Sequence, residues 1–158
     1  MHLKNSLSIF NPMVNYVANH RILLADDDED DTFLFEQVLL EVNSGFELVV
    51  ATNGIQAIDI LTKNQEFDIV FLDINMPLKN GLQCLQEIPA LLGSKQIPVI
   101  CFSTSGDQHI ITKARDLGAA GYITKPVSYN KYLNVLKDVL RLNSNQSLTK
   151  EFYLFSGV

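Results

Sequence analysis

The stretch Phe67-Asp68-Ile69-Val70-Phe71-Leu72-Asp73 is an apolar run that ends in a carboxylate. Three further apolar runs also end in a chemically useful group: residues 22–25 lead to Asp26 and Asp27, residues 99–102 to Ser103, and residues 121–124 to Lys125. In an open parallel sheet, ligands bind outside the carboxyl ends of the strands. We therefore expect these groups to converge on one crevice although they are far apart in sequence.

Short apolar runs alternate with segments of helical period along the chain, a pattern typical of βαβ units. The middle runs are apolar at almost every position, as expected for strands that are covered on both faces. We count five repeats and predict strands at residues 21–25, 47–51, 68–73, 97–102 and 121–124. The sequence therefore predicts an α/β fold with a five-stranded parallel sheet.

The fourth predicted helix has local signals at both ends. Ser105, with Gln108 three positions on, predicts a capping box, and Gly118 after Leu117 predicts a left-handed helix end. This helix is therefore expected to be short. Near the end of the chain, the apolar segment 151–155 is too brief for another domain, and its role stays open.

Length and composition indicate one globular domain with two tails. Of its 158 residues, 47% are apolar and 19% are charged, as in globular proteins. This length is too short for the predicted domain plus a second, effector domain. We predict an N-terminal extension at 1–20, the main domain at 21–142 and a C-terminal tail at 143–158. We expect no membrane span and no secretion signal, and hence a cytoplasmic protein. Cys84 and Cys101 are predicted to be packed, reduced thiols.

The net charge of −6 comes from one loop. Residues 26–31 are six consecutive acids, and outside them acidic and basic side chains are equal in number. This distribution argues against a nucleic-acid surface, which needs clustered Lys and Arg, and favours a cation site. The chain also lacks a Gly-rich phosphate loop, so we do not expect it to bind a nucleoside triphosphate.

The acids at the predicted strand ends are candidate metal ligands. Carboxylates in one crevice repel each other, by about 4 kcal/mol for unit charges about 4 Å apart at an effective dielectric near 20. A divalent cation relieves this repulsion, and Mg²⁺ prefers oxygen ligands that include one or two carboxylates. Asp26, Asp27 and Asp73 therefore predict a magnesium site.

The same residues predict phosphoryl chemistry. A carboxylate can act as the nucleophile in phosphoryl transfer, while a metal and a lysine offset charge on the phosphoryl oxygens. Asp73 is the candidate nucleophile because it stands alone at the end of the predicted central strand, whereas the other two acids are paired. Lys125 would supply the positive charge, and the hydroxyl of Ser103 could donate to a phosphate oxygen.

These motifs resemble the response-regulator receiver domain of two-component signalling, in its stand-alone, chemotaxis-regulator-like form. The resemblance spans about residues 21–142. It is carried by the segments 22–27 (ILLADD), 73–81 (DINMPLKNG), 98–103 (PVICFS) and 121–126 (GYITKP), with a weaker match at 51–57 (ATNGIQA). The resemblance implies a doubly wound, flavodoxin-like (βα)5 fold with strand order 2-1-3-4-5.

The resemblance also implies roles for individual residues. It implies Asp73 as the phosphoacceptor, Asp26 and Asp27 as magnesium acids, Asn75 as the donor of a backbone carbonyl to the metal, and Lys125 as the phosphate-contacting base. Ser103 is implied as the switch hydroxyl, in place of the commoner threonine. Tyr122 is implied to rotate inward as Ser103 moves toward the phosphate. A cis peptide bond between Lys125 and Pro126 is implied as well.

One alternative concerns the metal acids. The family shows two acids at the end of the first strand, and this chain has six, so a slip to Asp27 and Asp28 is conceivable. The length of the first strand favours Asp26 and Asp27. Residues 28–31 would then form a solvated cap on the first helix, where negative charge is favourable.

Four functions compete. The leading hypothesis is a single-domain response regulator, not an enzyme in its own right, that accepts a phosphoryl group from a sensor histidine kinase or a relay phosphohistidine and docks to a downstream protein. A phosphorelay intermediate would carry the same residues. A small magnesium-dependent phosphatase is disfavoured because Asn75 replaces the second acid such enzymes need, and a degenerate receiver is disfavoured by the complete site. We expect a monomer or weak homodimer.

Overall fold

The structure, a computed structural model, describes residues 20–43, 45–149 and 151–156. Strands and helices alternate through these residues. In chain order they are β1 (His20–Ala25), α1 (Glu29–Val42), β2 (Phe46–Ala51), α2 (Gly54–Lys63), β3 (Ile69–Leu72), α3 (Gly81–Leu92), β4 (Val99–Ser103), α4 (Gln108–Asp116), β5 (Gly121–Thr124), α5 (Tyr129–Ser144) and β6 (Tyr153–Ser156). A short 3₁₀ turn, Ser147–Thr149, precedes β6.

The strands form one sheet in the order β2-β1-β3-β4-β5-β6, and every neighbouring pair is parallel. The predicted α/β class and the order 2-1-3-4-5 are confirmed. Strand β3 shows why the middle runs are apolar throughout: Ile69 and Phe71 pack under α1 and α5, while Val70 and Leu72 pack under α2, α3 and α4. Helices thus cover both faces of the sheet.

The sixth strand corrects the predicted count of five. Residues Tyr153–Ser156, for which the sequence assigned no role, pair with Gly121–Thr124 of β5. Gly121 permits this pairing, because a Cβ atom there would lie 2.8 Å from the carbonyl oxygen of Tyr153. The short segment contains aromatic residues that favour strands, but it does not indicate its pairing partner, which lies about 30 residues earlier in the chain.

Several predicted boundaries shift. The predicted strands 68–73 and 97–102 are observed as Ile69–Leu72 and Val99–Ser103. The capping box predicted at Ser105 is wrong: Asp107 is the N-cap of α4, because its carboxylate accepts from the backbone N–H groups of His109 and Ile110. The left-handed conformation of Gly118 is confirmed, with φ of 100°.

Other expectations have mixed outcomes. No cis peptide bond occurs in the described residues, so the cis bond expected before Pro126 is wrong; an X–Pro bond has only a small intrinsic preference, and this turn forms with the trans isomer. Cys84 and Cys101 are buried free thiols, as predicted. Within the described residues, no helix combines the length and hydropathy needed to cross a bilayer. The predicted extension 1–20 lies outside the described residues except for His20, which begins β1.

Candidate functional site

The backbone itself brings the strand-end residues to one edge of the sheet. The N–H of Asp26 donates to Ala51 (3.0 Å), and the N–H of Asp73 donates to Ala25 (2.9 Å). On the other side of β3, the N–H of Lys125 donates to the carbonyl of Ser103 (2.7 Å). Because these bonds continue the parallel ladder past the strand ends, the side chains that follow each strand meet above the same edge.

Three carboxylates form an acidic cluster at this edge. Asp26, Asp27 and Asp73 each place an oxygen within 4.8 Å of the others. Asp26 and Asp73 are buried, whereas Asp27 is exposed. Hard oxygen ligands in this number suit a divalent cation such as Mg²⁺, which keeps water in the rest of its shell. The donor set therefore fits the predicted metal.

The structure brings Asp26, not Asp28, into this cluster. Asp28 is the N-cap of α1, and its carboxylate accepts from the backbone N–H of Asp31 at 3.0 Å. A residue that caps a helix has its carboxylate turned toward the first helical turn. The acidic cluster thus contains Asp26 and Asp27 and does not contain Asp28.

The ammonium of Lys125 lies against the acidic cluster. Its Nζ atom is 2.8 Å from Asp26, 2.7 Å from Asp31 and 3.3 Å from Asp73. The side chain is only 9% exposed, and Nζ lies 5.3 Å from the centre of the Phe102 ring. Burial alone would lower the pKa of Lys125, but the hydrogen bonds that its ammonium donates to Asp26 and Asp31 and the charge of Asp73 raise it. The lysine is therefore a fixed positive charge.

Asp31 is the site residue that the sequence analysis missed. It was expected to belong to a solvated cap, yet it makes the shortest of the three lysine contacts. A run of six acids carries no local mark of which one faces the lysine. The start of α1 decides this, because Asp28 as N-cap sets which residues of the first turn point toward the pocket.

The charged form of Asp73 is unfavourable at its buried position. Burial raises the pKa of Asp73 to about 6, and the charge of Asp26 adds to this, while Lys125 opposes it. The backbone N–H of Asn75 donates to its Oδ1 at 3.3 Å, a weaker compensation. Crowded carboxylates with a raised pKa are a common mark of a functional site.

Ser103, at the end of β4, and Tyr122, in β5, both contact the β4–α4 loop. The fully buried Ser103 hydroxyl accepts from the backbone N–H of Ser105 at 3.2 Å. The hydroxyl of Tyr122, whose ring is also fully buried, donates to the carbonyl of Ser105 at 2.7 Å. Burial raises the pKa of Tyr122, so its hydroxyl stays a donor. Both side chains therefore hold the same loop residue.

Two glycines allow the backbone around Asp73 to pack closely. A Cβ atom on Gly81 would lie 2.2 Å from the carbonyl oxygen of Asp73, and one on Gly54 would lie 2.1 Å from that of Lys79. Such distances exclude any larger residue without backbone movement. The β3–α3 loop thus packs against the start of α2 and against the end of β3. The weaker sequence match at 51–57 contains Gly54, which this packing requires.

A comparison with protein families identifies the family of the chain. The model of the response regulator receiver domain family matches residues 22–137. The chain belongs to this family. Receiver domains serve phosphorylation-dependent signalling and are not enzymes of the ordinary kind.

Curated relatives of this receiver differ in length. The transcriptional regulatory protein CpxR of Escherichia coli (strain K12) is 36% identical over 122 residues, which are 77% of this chain and 50% of the relative. The chain thus spans about half the length of that protein. Sporulation initiation phosphotransferase F of Bacillus subtilis (strain 168) is 31% identical over 129 residues, which are 82% of this chain and 100% of the relative.

Solved structures also resemble this receiver. The phosphorylated cyanobacterial phytochrome response regulator RcpA superposes with a TM-score of 0.73 at 28% identity, covering 82% of this chain and 96% of RcpA. The CheX–CheY complex of Borrelia burgdorferi, described with BeF3 and Mg²⁺, has a matching chain with a TM-score of 0.65 at 28% identity, covering 77% of this receiver and 89% of that chain.

Proposed function

We propose that this receiver accepts a phosphoryl group on Asp73 from the phosphohistidine of a sensor kinase or of a histidine phosphotransfer protein. An Oδ atom of Asp73 attacks phosphorus, a P–O bond forms, and the P–N bond to the donor imidazole breaks with its electron pair retained by the ring. The observation that carries this proposal is the position of Asp73, whose carboxylate lies within 4.8 Å of those of Asp26 and Asp27 and 3.3 Å from the ammonium of Lys125.

Asp26, Asp27 and Asp73 would hold Mg²⁺, with the backbone carbonyl of Asn75 as a further ligand. When bound, the ion offsets charge on the phosphoryl oxygens and relieves repulsion among the carboxylates. The same metal occurs in the name of the related Borrelia complex. Since one of the three acids is exposed, the site has an open side from which solvent and a phosphodonor can approach.

Lys125 supplies the protein's own positive charge during transfer. Its ammonium already lies 3.3 Å from Asp73 and has three N–H donors. A phosphoryl group on Asp73 would present new anionic oxygens beside this ammonium, so one donor can turn to it without leaving the pocket. Preorganised charge of this kind stabilises the transferred group without further rearrangement.

The output would be a conformational change that controls docking to another protein. Ser103 and Tyr122 both hold Ser105 in the β4–α4 loop. If the hydroxyl of Ser103 turns to donate to the phosphoryl group, the N–H of Ser105 loses its acceptor, and the loop and the Tyr122 ring are released to move. Phosphorylation would then shift the population of two loop conformations and alter the surface formed by α4, β5 and α5. If the Tyr122 rotamer is the same with and without a bound phosphate mimic, this coupling is wrong.

A relay role is the second candidate. It is favoured by the similarity to the whole length of sporulation initiation phosphotransferase F. In that case the phosphoryl group would leave Asp73 for a histidine on another protein. Transfer assays with candidate histidine proteins separate the two functions.

The cytoplasm is the proposed compartment, since buried free thiols at Cys84 and Cys101 suit reducing surroundings.

The direct test is phosphorylation by acetyl phosphate in the presence of Mg²⁺, followed by intact mass. The protein should gain one phosphoryl group, and chelation of the metal should abolish the gain. Asp73→Asn should gain none. Asp68→Asn is the matched control, because Asp68 lies at the opposite end of β3, and it should be phosphorylated like the parent chain. An equal adduct on Asp73→Asn would rule out Asp73 as the acceptor.

A further inference from the structure

Asp31 contacts Lys125 from outside the acidic cluster. Its carboxylate is 2.7 Å from Nζ, and its side chain is 37% exposed, at the rim of the pocket. Asp26 and Asp73, the other two partners of the ammonium, both belong to the group that could hold a metal, whereas Asp31 does not. The lysine is therefore held by two kinds of carboxylate.

These two kinds of partner behave differently when a cation enters. A divalent ion bound by Asp26 and Asp73 would offset the negative charge of their oxygens, so their attraction for the ammonium would weaken. Asp31 keeps its full charge for Lys125 because it is not a ligand. We propose that Asp31 is a positioning residue that holds the Lys125 ammonium over the phosphoryl site when the metal occupies the acidic cluster. This inference rests on the proposed phosphorylation of Asp73.

The surroundings argue against an incidental surface ion pair. The stem of Lys125 is enclosed, with Nζ beside the Phe102 ring, so the ammonium has few directions open to it. The neighbours Glu29 and Asp30 occupy the same helical turn but are exposed, and neither forms an ion pair within the described residues. A carboxylate in the first turn of α1 is also favoured by the helix dipole. Asp31 alone in this turn combines that position with a lysine contact.

The chain offers a closely matched control for a test. Asp31→Ala removes the lysine contact and one negative charge near the pocket. Asp30→Ala removes the same charge from the same helical turn without touching Lys125. Any effect of charge on the approach of metal or phosphodonor is thus shared by the two variants. Both should fold, because alanine suits a helix and the N–H that Asp31 donates to Asp28 belongs to the backbone. Circular dichroism checks this.

The first readout is the ammonium itself, in protein labelled with ¹⁵N-lysine and free of metal and phosphate. A Lys125 ammonium held by three acceptors should exchange its protons slowly enough to give an NMR signal at neutral pH and low temperature, assigned by its loss in Lys125→Met. The signal should persist in Asp30→Ala. In Asp31→Ala it should disappear, because one donor then faces solvent.

The second readout is the rate of phosphorylation at saturating Mg²⁺. Asp31→Ala should react about 10-fold more slowly than Asp30→Ala, since a misplaced ammonium loses part of its stabilisation of the transferring group. The Mg²⁺ affinity measured by calorimetry should differ by less than about 2-fold between the two variants, because neither residue is in the metal cluster. Asp31→Glu, which restores a carboxylate, should recover most of the rate.

Three outcomes overturn the inference: an unchanged ammonium signal in Asp31→Ala, equal rates for the two alanine variants, or a slow Asp31→Glu that still binds the metal. If the parent chain gains no phosphoryl group at all, the proposed function fails. The metal-free ammonium signal then still decides whether Asp31 fixes Lys125, so the two failures are distinguishable.

Discussion

Asp68 and Asp73 stand at opposite ends of strand β3 and have opposite surroundings. Asp68, at the amino end, has a side chain 43% exposed, 3.6 Å from His20, and it accepts from the backbone N–H of Arg21 at 2.7 Å. Asp73, at the carboxyl end, has a side chain 9% exposed and a pKa raised to about 6. The carboxylate of Asp68 is thus solvated and hydrogen-bonded, whereas burial disfavours the charged form of Asp73.

The difference lies in how many like charges meet at each end of the sheet and in how far water reaches them. At the amino end, opposite charges meet in pairs that water reaches, as Arg21 and Glu47 do at 3.2 Å. At the carboxyl end, Asp26 and Asp73 are buried around one lysine, and burial raises the pKa of Asp73, so the charged form of Asp73 lowers the stability of the fold. The rest of the sheet and the helices on its two faces supply the stability that offsets this cost.

Removal of the buried lysine should have the largest effect on stability. Lys125→Met should lower the free energy of unfolding by about 2–3 kcal/mol in metal-free buffer, because it leaves buried carboxylates without a counter-charge. Urea unfolding at neutral pH measures this. Lys63→Met is the control: its ion pair with Asp59 is mostly exposed, so its effect should stay below about 1 kcal/mol. Equal losses of unfolding free energy in the two variants would mean that the carboxylates in the pocket do not depend on Lys125 as a counter-charge.

Neutralising Asp73 should stabilise the fold. Its pKa is raised from 3.8 to about 6 in the folded chain, so the folded state holds a proton that the unfolded state has released. The stability from protonated Asp73 is therefore complete below pH 3.8 and is lost as the pH rises through about 6. Asp73→Asn should gain about 1–2 kcal/mol over the parent chain at pH 7 and nothing near pH 4.

The same measurement at the other end of the strand sharpens this contrast. Asp68→Asn should give no such gain at pH 7, because its carboxylate is exposed and accepts a backbone hydrogen bond. Urea unfolding of both variants between pH 4 and pH 7, without divalent ions, makes the comparison. A gain for Asp73→Asn that is independent of pH would show that burial of its charge is not the cause.

The sequence was sufficient to predict the groups that end buried strands. Asp73, Ser103 and Lys125 each follow an apolar run, and in a parallel sheet that position alone places them at a common edge. The order of the first five strands was implied by the resemblance to the receiver family. The position of the strand-end groups, in contrast, follows from the local sequence pattern and the general geometry of parallel sheets.

The features that escaped prediction depend on contacts between distant residues. Strand β6 exists because Tyr153 can approach Gly121, and the contact of Asp31 with Lys125 joins residues 94 positions apart. The N-cap of α4 was misplaced because Ser105 and Asp107 are both good capping residues, and the fold of the loop decides between them. None of these three features can be predicted from the local sequence alone.

The smallest expected effect lies at the amino end of the sheet. Arg21 and Glu47 are partners in the register of β1 and β2, and their side chains form a partly exposed ion pair. Because the Arg21 guanidinium also lies 4.7 Å from the centre of the Phe67 ring, Arg21→Ala alone would mix lost packing with lost charge. A double-mutant cycle with Glu47→Ala isolates the ion pair, and the coupling should be below about 1 kcal/mol and fall with added salt. A salt-insensitive coupling above about 2 kcal/mol would place this pair in the same class as the buried lysine, since only charges shielded from water escape screening to that extent. The contrast between the two ends of the sheet would then rest on the crowding of like charges around Asp73 and not on burial.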